Sequence, residues 1–121
     1  MESGLYVVAT HIGNLGEIYQ RALDVLRRVD LIAAEDTRHS QRLLQHYTID
    51  TAVIAYHDHS DEHAQRKINS CLAGGGSVAL VSDAGTPLIS DPGYRLVRFV
   101  QESGFAVRPV PGACAAVAAL S

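Results

Sequence analysis

The sequence predicts an α/β fold in which a parallel sheet is covered by helices on both faces. The first sign is rhythm: five short apolar, β-branched runs alternate with five helical patterns along 121 residues. The second is that each run is nearly continuously apolar rather than alternating, as strands buried on both faces must be. The third is uniformity, since the only low-complexity stretch is the three-glycine turn Gly74-Gly75-Gly76 and neither repeat nor linker divides the chain. Strand–helix alternation of this kind folds as one parallel-sheet domain.

The expected strands are Leu5 to Ala9, Leu31 to Ala34, Ala52 to Tyr56, Ser77 to Val81 and Phe105 to Val110. A first helix is expected from Asn14, whose side chain can cap it, with Glu17 three residues on completing a box-like pair. Leu15, Ile18, Ala22, Val25, Leu26 and Val29 then share one stripe. A second helix is expected from about Arg38 to His46, carrying Leu43 and Leu44 inward. The third starts at Ser60, has Asp61 and Glu62 in its first turn where the dipole favours acids, and stops before the glycines. The fourth has Asp91 as cap, Pro92 at the first helical position and Gly104 just past its end. A fifth begins near Gly112. Its apolar stretch Ala113 to Leu120 has no C-cap, so the chain reads as the amino-terminal domain of something longer.

Composition excludes several classes of protein. Hydrophobic residues make up 47% and charged residues 19%, the balance of a soluble domain with a sizeable core. No apolar run reaches the roughly 18 residues of a membrane span, and Met1-Glu2-Ser3-Gly4 opens no signal peptide. Cys71 and Cys114 match no metal or redox spacing and read as reduced, small, buried side chains of a cytoplasmic protein. The net charge is −3, from 10 basic and 13 acidic residues. An autonomous nucleic-acid binder is usually basic, because phosphate contacts supply most of its affinity. Any RNA role must therefore come from a local patch, a partner or a further domain.

Parallel topology places every strand-to-helix loop at one edge of the sheet, where ligands of open α/β folds bind. In order these loops read Thr10-His11-Ile12-Gly13-Asn14, Glu35-Asp36-Thr37-Arg38, His57-Asp58-His59, the long run Ser82 to Gly93, and Pro111-Gly112-Ala113-Cys114. Nearly every unusual residue of the chain lies in one of them. The run after the fourth strand, Asp83-Ala84-Gly85-Thr86-Pro87, is long and built of small residues. Gly85 lets a backbone approach closely, Ala84 is too small to block it, and Asp83 can accept from a hydroxyl or an amino group. In the second loop, Arg38 can hold a phosphate bidentately and a carboxylate can orient or deprotonate a hydroxyl. The plainer reading there is a helix cap at Asp36 or Thr37. The plainer reading of Pro111-Gly112 is a simple turn. Five of the six histidines lie between His39 and His63, with metal-like spacing at His57, His59 and His63. No metal site is assigned, because solvated or RNA-facing histidines fit the cluster better.

The strings Ile12-Gly13-Asn14-Leu15, Ala34-Glu35-Asp36-Thr37-Arg38-His39, Val78 to Val97 and Pro111-Gly112 resemble the tetrapyrrole-methylase superfamily. Within it they resemble the branch that acts on ribosomal RNA, since corrin and porphyrin enzymes carry a Gly-Asp-Pro type motif after the fourth strand. The resemblance implies a two-domain protein with this chain as its first domain, a three-layer α/β/α unit with a five-stranded parallel sheet in order 3-2-4-1-5. It implies S-adenosyl-L-methionine as cofactor and 2′-O-methylation of a cytidine in 16S ribosomal RNA as the reaction. It is compatible with a homodimer. Carried over residue by residue, it places Asp83, Ala84, Gly85, Thr86, Ile89, Pro111, Gly112 and Cys114 against the cofactor, and Asn14, Thr37 and Arg38 toward RNA. Glu35, Asp36 and His57 are the candidate bases, unranked. The chain departs from the family pattern at Ala9 and His11, where prolines are usual, and at Ala113, also usually proline. Methyl transfer from a sulfonium is an in-line displacement, helped mostly by alignment.

Two other readings compete. One is a small-molecule methylase of the same superfamily, which the Asp83 to Pro87 wording disfavours. The other is a non-catalytic flavodoxin-like module, since fold does not dictate function. A receiver-type module would place clustered acids after the first strand, where this chain has none.

Overall fold

The computed structural model describes residues 1–9, 20–35, 37–56, 62–82 and 91–110. Its elements are β1 (Gly4–Ala9), α1 (Gln20–Arg28), β2 (Leu31–Ala34), α2 (Thr37–His46), β3 (Val53–Ala55), α3 (Glu62–Ala73), β4 (Ser77–Ser82), α4 (Asp91–Glu102) and β5 (Val107–Val110). All five expected strands are present and pair in parallel, in the order β3-β2-β4-β1-β5. The helix starts expected at Asn14 and Ser60, and the fifth helix from Gly112, lie outside the described residues.

The pleat divides the core in two. On β4, Ala79 and Val81 face one cluster with Tyr6 and Val8 of β1, and that cluster is filled by Ala22, Leu23, Val25 and Leu26 of α1 with Leu43 and Leu44 of α2. Val78 and Leu80 face the opposite cluster with Leu5, filled by Ala64, Ile68 and Leu72 of α3 with Leu96 and Val100 of α4. Alternate side chains of one strand thus reach opposite layers, so a central strand needs apolar residues at every position. Each fully buried Leu, Ile or Val here is worth about 1.5–3 kcal/mol of transfer free energy, the main return for ordering the chain.

Residues 4–8 of β1, 32–34 of β2 and 77–81 of β4 are buried, whereas the two edge strands mostly are not. Val53, Ile54 and Ala55 of β3 are half-buried, and β5 has Val107 and Arg108 half-buried and Pro109 exposed. An edge strand has one neighbour, so Pro109 sits where a missing N–H costs no ladder bond. The ladders of β3 and β5 are also shorter than the apolar runs suggested. Hydrogen bonds continue past them, from the Ile32 amide to Ala52 O at 2.8 Å, from the Tyr56 amide to Ala34 O at 2.8 Å, and from the Leu5 amide to Ala106 O at 2.9 Å.

Helix α4 ends as its sequence predicted. Gly104 adopts φ 87°, its amide donates to Gln101 O at 3.0 Å, and the next amide, of Phe105, donates to Val100 O at 3.1 Å. A side chain at that φ would be strained, which explains glycine there.

The amino edge of the sheet is tied shut by polar contacts. Asp30 Oδ2 accepts from the Ser77 amide at 2.9 Å and from its hydroxyl at 3.4 Å, while the Asp30 amide donates to Ser77 O at 2.9 Å. Ser3 Oγ donates to Gly76 O at 2.8 Å, and Arg108 Nε to Ser3 O at 3.1 Å. Cys71 lies at this end, half-buried rather than fully buried, and is a free thiol. Burial first, and the nearby Asp30 charge second, push that thiol up from its ordinary value, which suits an inert side chain. Cys114 lies outside the described residues.

Candidate active site

Because every pairing is parallel, all five strands end at the opposite edge. The last pairs are Ala9↔Ser82, Ala34↔Val81, Ala34↔Ala55 and Val8↔Val110. The neighbours β1 and β4 send their connections to opposite faces, as β2 and β4 also do. From β1 the chain continues to α1, packed on one face, and from β4 to α4, packed on the other. Adjacent strands whose connections leave to opposite faces open a crevice between their carboxyl ends. Ala9 and Ser82 flank it, and both are small residues.

The chain enters each expected site segment from this edge. Asp83, Ala84, Gly85, Thr86 and Ile89 follow Ser82 in sequence; Pro111, Gly112 and Cys114 follow Val110. These eight, with Asn14, Asp36 and His57, lie outside the described residues.

Three expected site residues are described. Glu35 is half-buried and stands one residue past the Ala34↔Val81 pair, level with Ser82 in the register. Adjacent strands are about 4.8 Å apart, so Glu35 lies one strand spacing from the β4 end of the crevice. Thr37 opens α2 half-buried, and Arg38 is exposed on its first turn. His57 follows Tyr56, which hydrogen-bonds at the β3 side of Ala34. Its point of departure is therefore two strands, about 10 Å, from β4. The register thus brings Glu35 near the crevice and starts His57 farther away, a distinction invisible in sequence.

Of the histidine cluster, His57 and His59 lie outside the described residues. His39 is on α2 and His63 on α3, and those helices pack on opposite faces of the sheet. Among the described residues no group of three or more His, Cys, Asp or Glu side chains converges to hold a metal ion. No described helix is long and apolar enough to cross a membrane. One exposed residue, Arg42, drew no attention in the sequence; its signal was the four-residue spacing from Arg38.

A doubly wound parallel sheet takes its ligands at the carboxyl ends of its strands. The chain belongs to the Tetrapyrrole (Corrin/Porphyrin) Methylases, whose family profile matches residues 4–121. Over 117 residues it is 57% identical to Ribosomal RNA small subunit methyltransferase I of Escherichia coli O157:H7, covering 97% of this chain and 41% of that protein. It is 60% identical over 117 residues to the protein of the same name from Pseudomonas aeruginosa, covering 97% of this chain and 42% of the relative. The chain thus spans about two fifths of the length of the curated relatives it matches. In fold it is similar to uroporphyrin-III-C-methyltransferase from Thermus thermophilus, with TM-score 0.70 at 19% identity over 98% of this chain and 51% of that one.

Proposed function

We propose that this chain is the first of two domains of a cytoplasmic methyltransferase that uses S-adenosyl-L-methionine to 2′-O-methylate a cytidine of 16S ribosomal RNA. The observation that carries the reading is the 57–60% identity, over 97% of the chain, to relatives named for methylating small-subunit ribosomal RNA. The crevice between β1 and β4 supports it, because that is where such a fold takes a ligand.

The residues at the crevice fit the cofactor. Strands β1, β2, β3 and β4 end on Ala9, Ala34, Ala55 and Ser82, which leaves room for a large ligand at the rim. Asp83 supplies an acceptor for ribose hydroxyls or an ammonium group, and Ala84 and Gly85 let the backbone come close. Thr86 and Ile89, and Pro111, Gly112 and Cys114 after β5, are the further residues assigned to the cofactor. S-adenosylmethionine, when bound, brings a methyl group already activated on a sulfonium. The protein's task is then alignment and removal of one proton. Glu35, one strand spacing from the end of β4, is taken as the base that removes the proton of the ribose 2′-hydroxyl, with Asp36 and His57 as the alternatives. Arg38 holds a phosphate of the RNA, and Thr37 and Asn14 position the nucleotide.

The test uses the full-length protein, S-adenosylmethionine labelled on its methyl group, and small-subunit RNA or subunits lacking the modification. Label should appear at one cytidine whose 3′ linkage has become resistant to alkali, because alkaline cleavage needs a free 2′-hydroxyl. Label on a base, or transfer only to a porphyrin-type acceptor, would overturn the proposal.

A further inference from the structure

Helix α2 breaks a charge rule that the other described helices keep. In α1, Asp24 pairs with Arg28 at 3.6 Å; in α3, Glu62 with Arg66 at 3.7 Å; in α4, Arg98 with Glu102 at 3.2 Å. Each is an i,i+4 pair of opposite charges. Helix α2, Thr-Arg-His-Ser-Gln-Arg-Leu-Leu-Gln-His, holds no acidic residue at all. Its i,i+4 pair is Arg38 with Arg42, two cations, and both are exposed while Ser40, Leu43 and Leu44 face inward.

Like charges at that spacing destabilise a helix, and a cation in the first turn opposes the dipole. Two unfavourable choices on one face of one helix, in a chain of net charge −3, are the mark of a site serving an external anion. The position agrees. Thr37 begins α2 three residues after β2 ends at Ala34, so Arg38 lies in the first turn past the carboxyl end of a strand that neighbours β4. Arg42 lies four residues on, about 6 Å farther along the helix axis.

We propose that the outer face of α2 is a track for the RNA backbone, with Arg42 holding a phosphate beyond the reacting nucleotide. The inference rests on the RNA-methyltransferase reading above. A guanidinium suits phosphate, and a backbone contact adds affinity and register without choosing a base. It also answers how an acidic domain contributes to binding RNA: by one local stripe.

The experiment compares wild type, Arg42→Ala and Arg42→Lys in the full-length protein, binding a 16S RNA fragment that contains the target cytidine. Affinity is read between about 50 and 200 mM salt, where counterion release dominates. Arg42→Ala should weaken binding about five- to tenfold at the low end and reduce the slope of log K against log salt by about 0.7–0.9. Arg42→Lys should keep the slope, because the charge remains. Affinity for S-adenosylmethionine should not change in either, which confirms the fold. A wild-type slope in Arg42→Ala, with an active wild type, overturns the track alone. Equal loss of slope in both variants also overturns it, since charge would not be the cause. A wild type that methylates no 16S RNA overturns the functional reading, and the track with it.

Discussion

At the scale of single residues, Glu35 and Asp83 make separable demands. Glu35 is assigned the proton, not the cofactor, because the register sets it one strand from β4, level with Ser82. Glu35→Gln keeps the shape and removes the base, so methyl transfer should fall by about 10²–10⁴-fold, the usual contribution of a positioned acid or base. Affinity for S-adenosylmethionine should hold. A rate within a few-fold of wild type would move the role to Asp36 or His57. Asp83 is assigned the cofactor, so Asp83→Ala should weaken its binding by about 1–3 kcal/mol, the loss of a hydrogen bond to a charged group. Calorimetry giving unchanged affinity would take Asp83 out of the site.

At the scale of elements, the tightest junction is the entry to β4. A β-carbon on Gly76 would stand 2.7 Å from Cys71 Sγ, 2.8 Å from Cys71 O and 2.9 Å from Asp30 Oδ2. The sulfur can rotate, but the carbonyl cannot, because it accepts the Gly76 amide at 2.9 Å where α3 closes. The Asp30 carboxylate is likewise engaged by Ser77. Gly76→Ala should therefore destabilise the fold by about 1–3 kcal/mol, as overpacking of a tight site does. A urea midpoint unchanged at equal m-value would show that the junction yields. Among the described residues, side chains of Ser3, Asp30 and Arg108 tie the amino edge to its neighbours.

At the scale of the whole molecule, the proposed cofactor site draws on two domains. With one wall missing, a ligand loses contacts and also stays wet, so affinity falls by more than the lost share of contacts. The 121-residue chain alone should transfer no methyl group to 16S RNA, and should bind S-adenosylmethionine on the order of a hundredfold more weakly than the full-length protein. Labelled methyl transfer by the purified chain would show that the site is complete within it. Among the described residues only Met1 and Tyr94 are large, hydrophobic and exposed. The described surface therefore supplies no broad apolar patch for self-association.

What the sequence determined by itself was periodicity and punctuation. Continuous apolar runs marked the strands, glycine after α4 marked its end, and the loop wording from Glu35 to Arg38 and from Asp83 to Pro87 marked the family. These are local signals, carried by neighbouring residues. Only the tertiary structure decided matters of non-local register. It left β3 and most of β5 only partly buried, because edge strands have a single neighbour, and it separated His39 from His63 across the sheet. It also paired Ala34 with Val81, residues far apart in the chain, so that Glu35 and Ser82 each follow the last pair of β2 and β4. Pairing register depends on which strands become neighbours, and that is settled by packing the two helical layers against the sheet, not by any single segment.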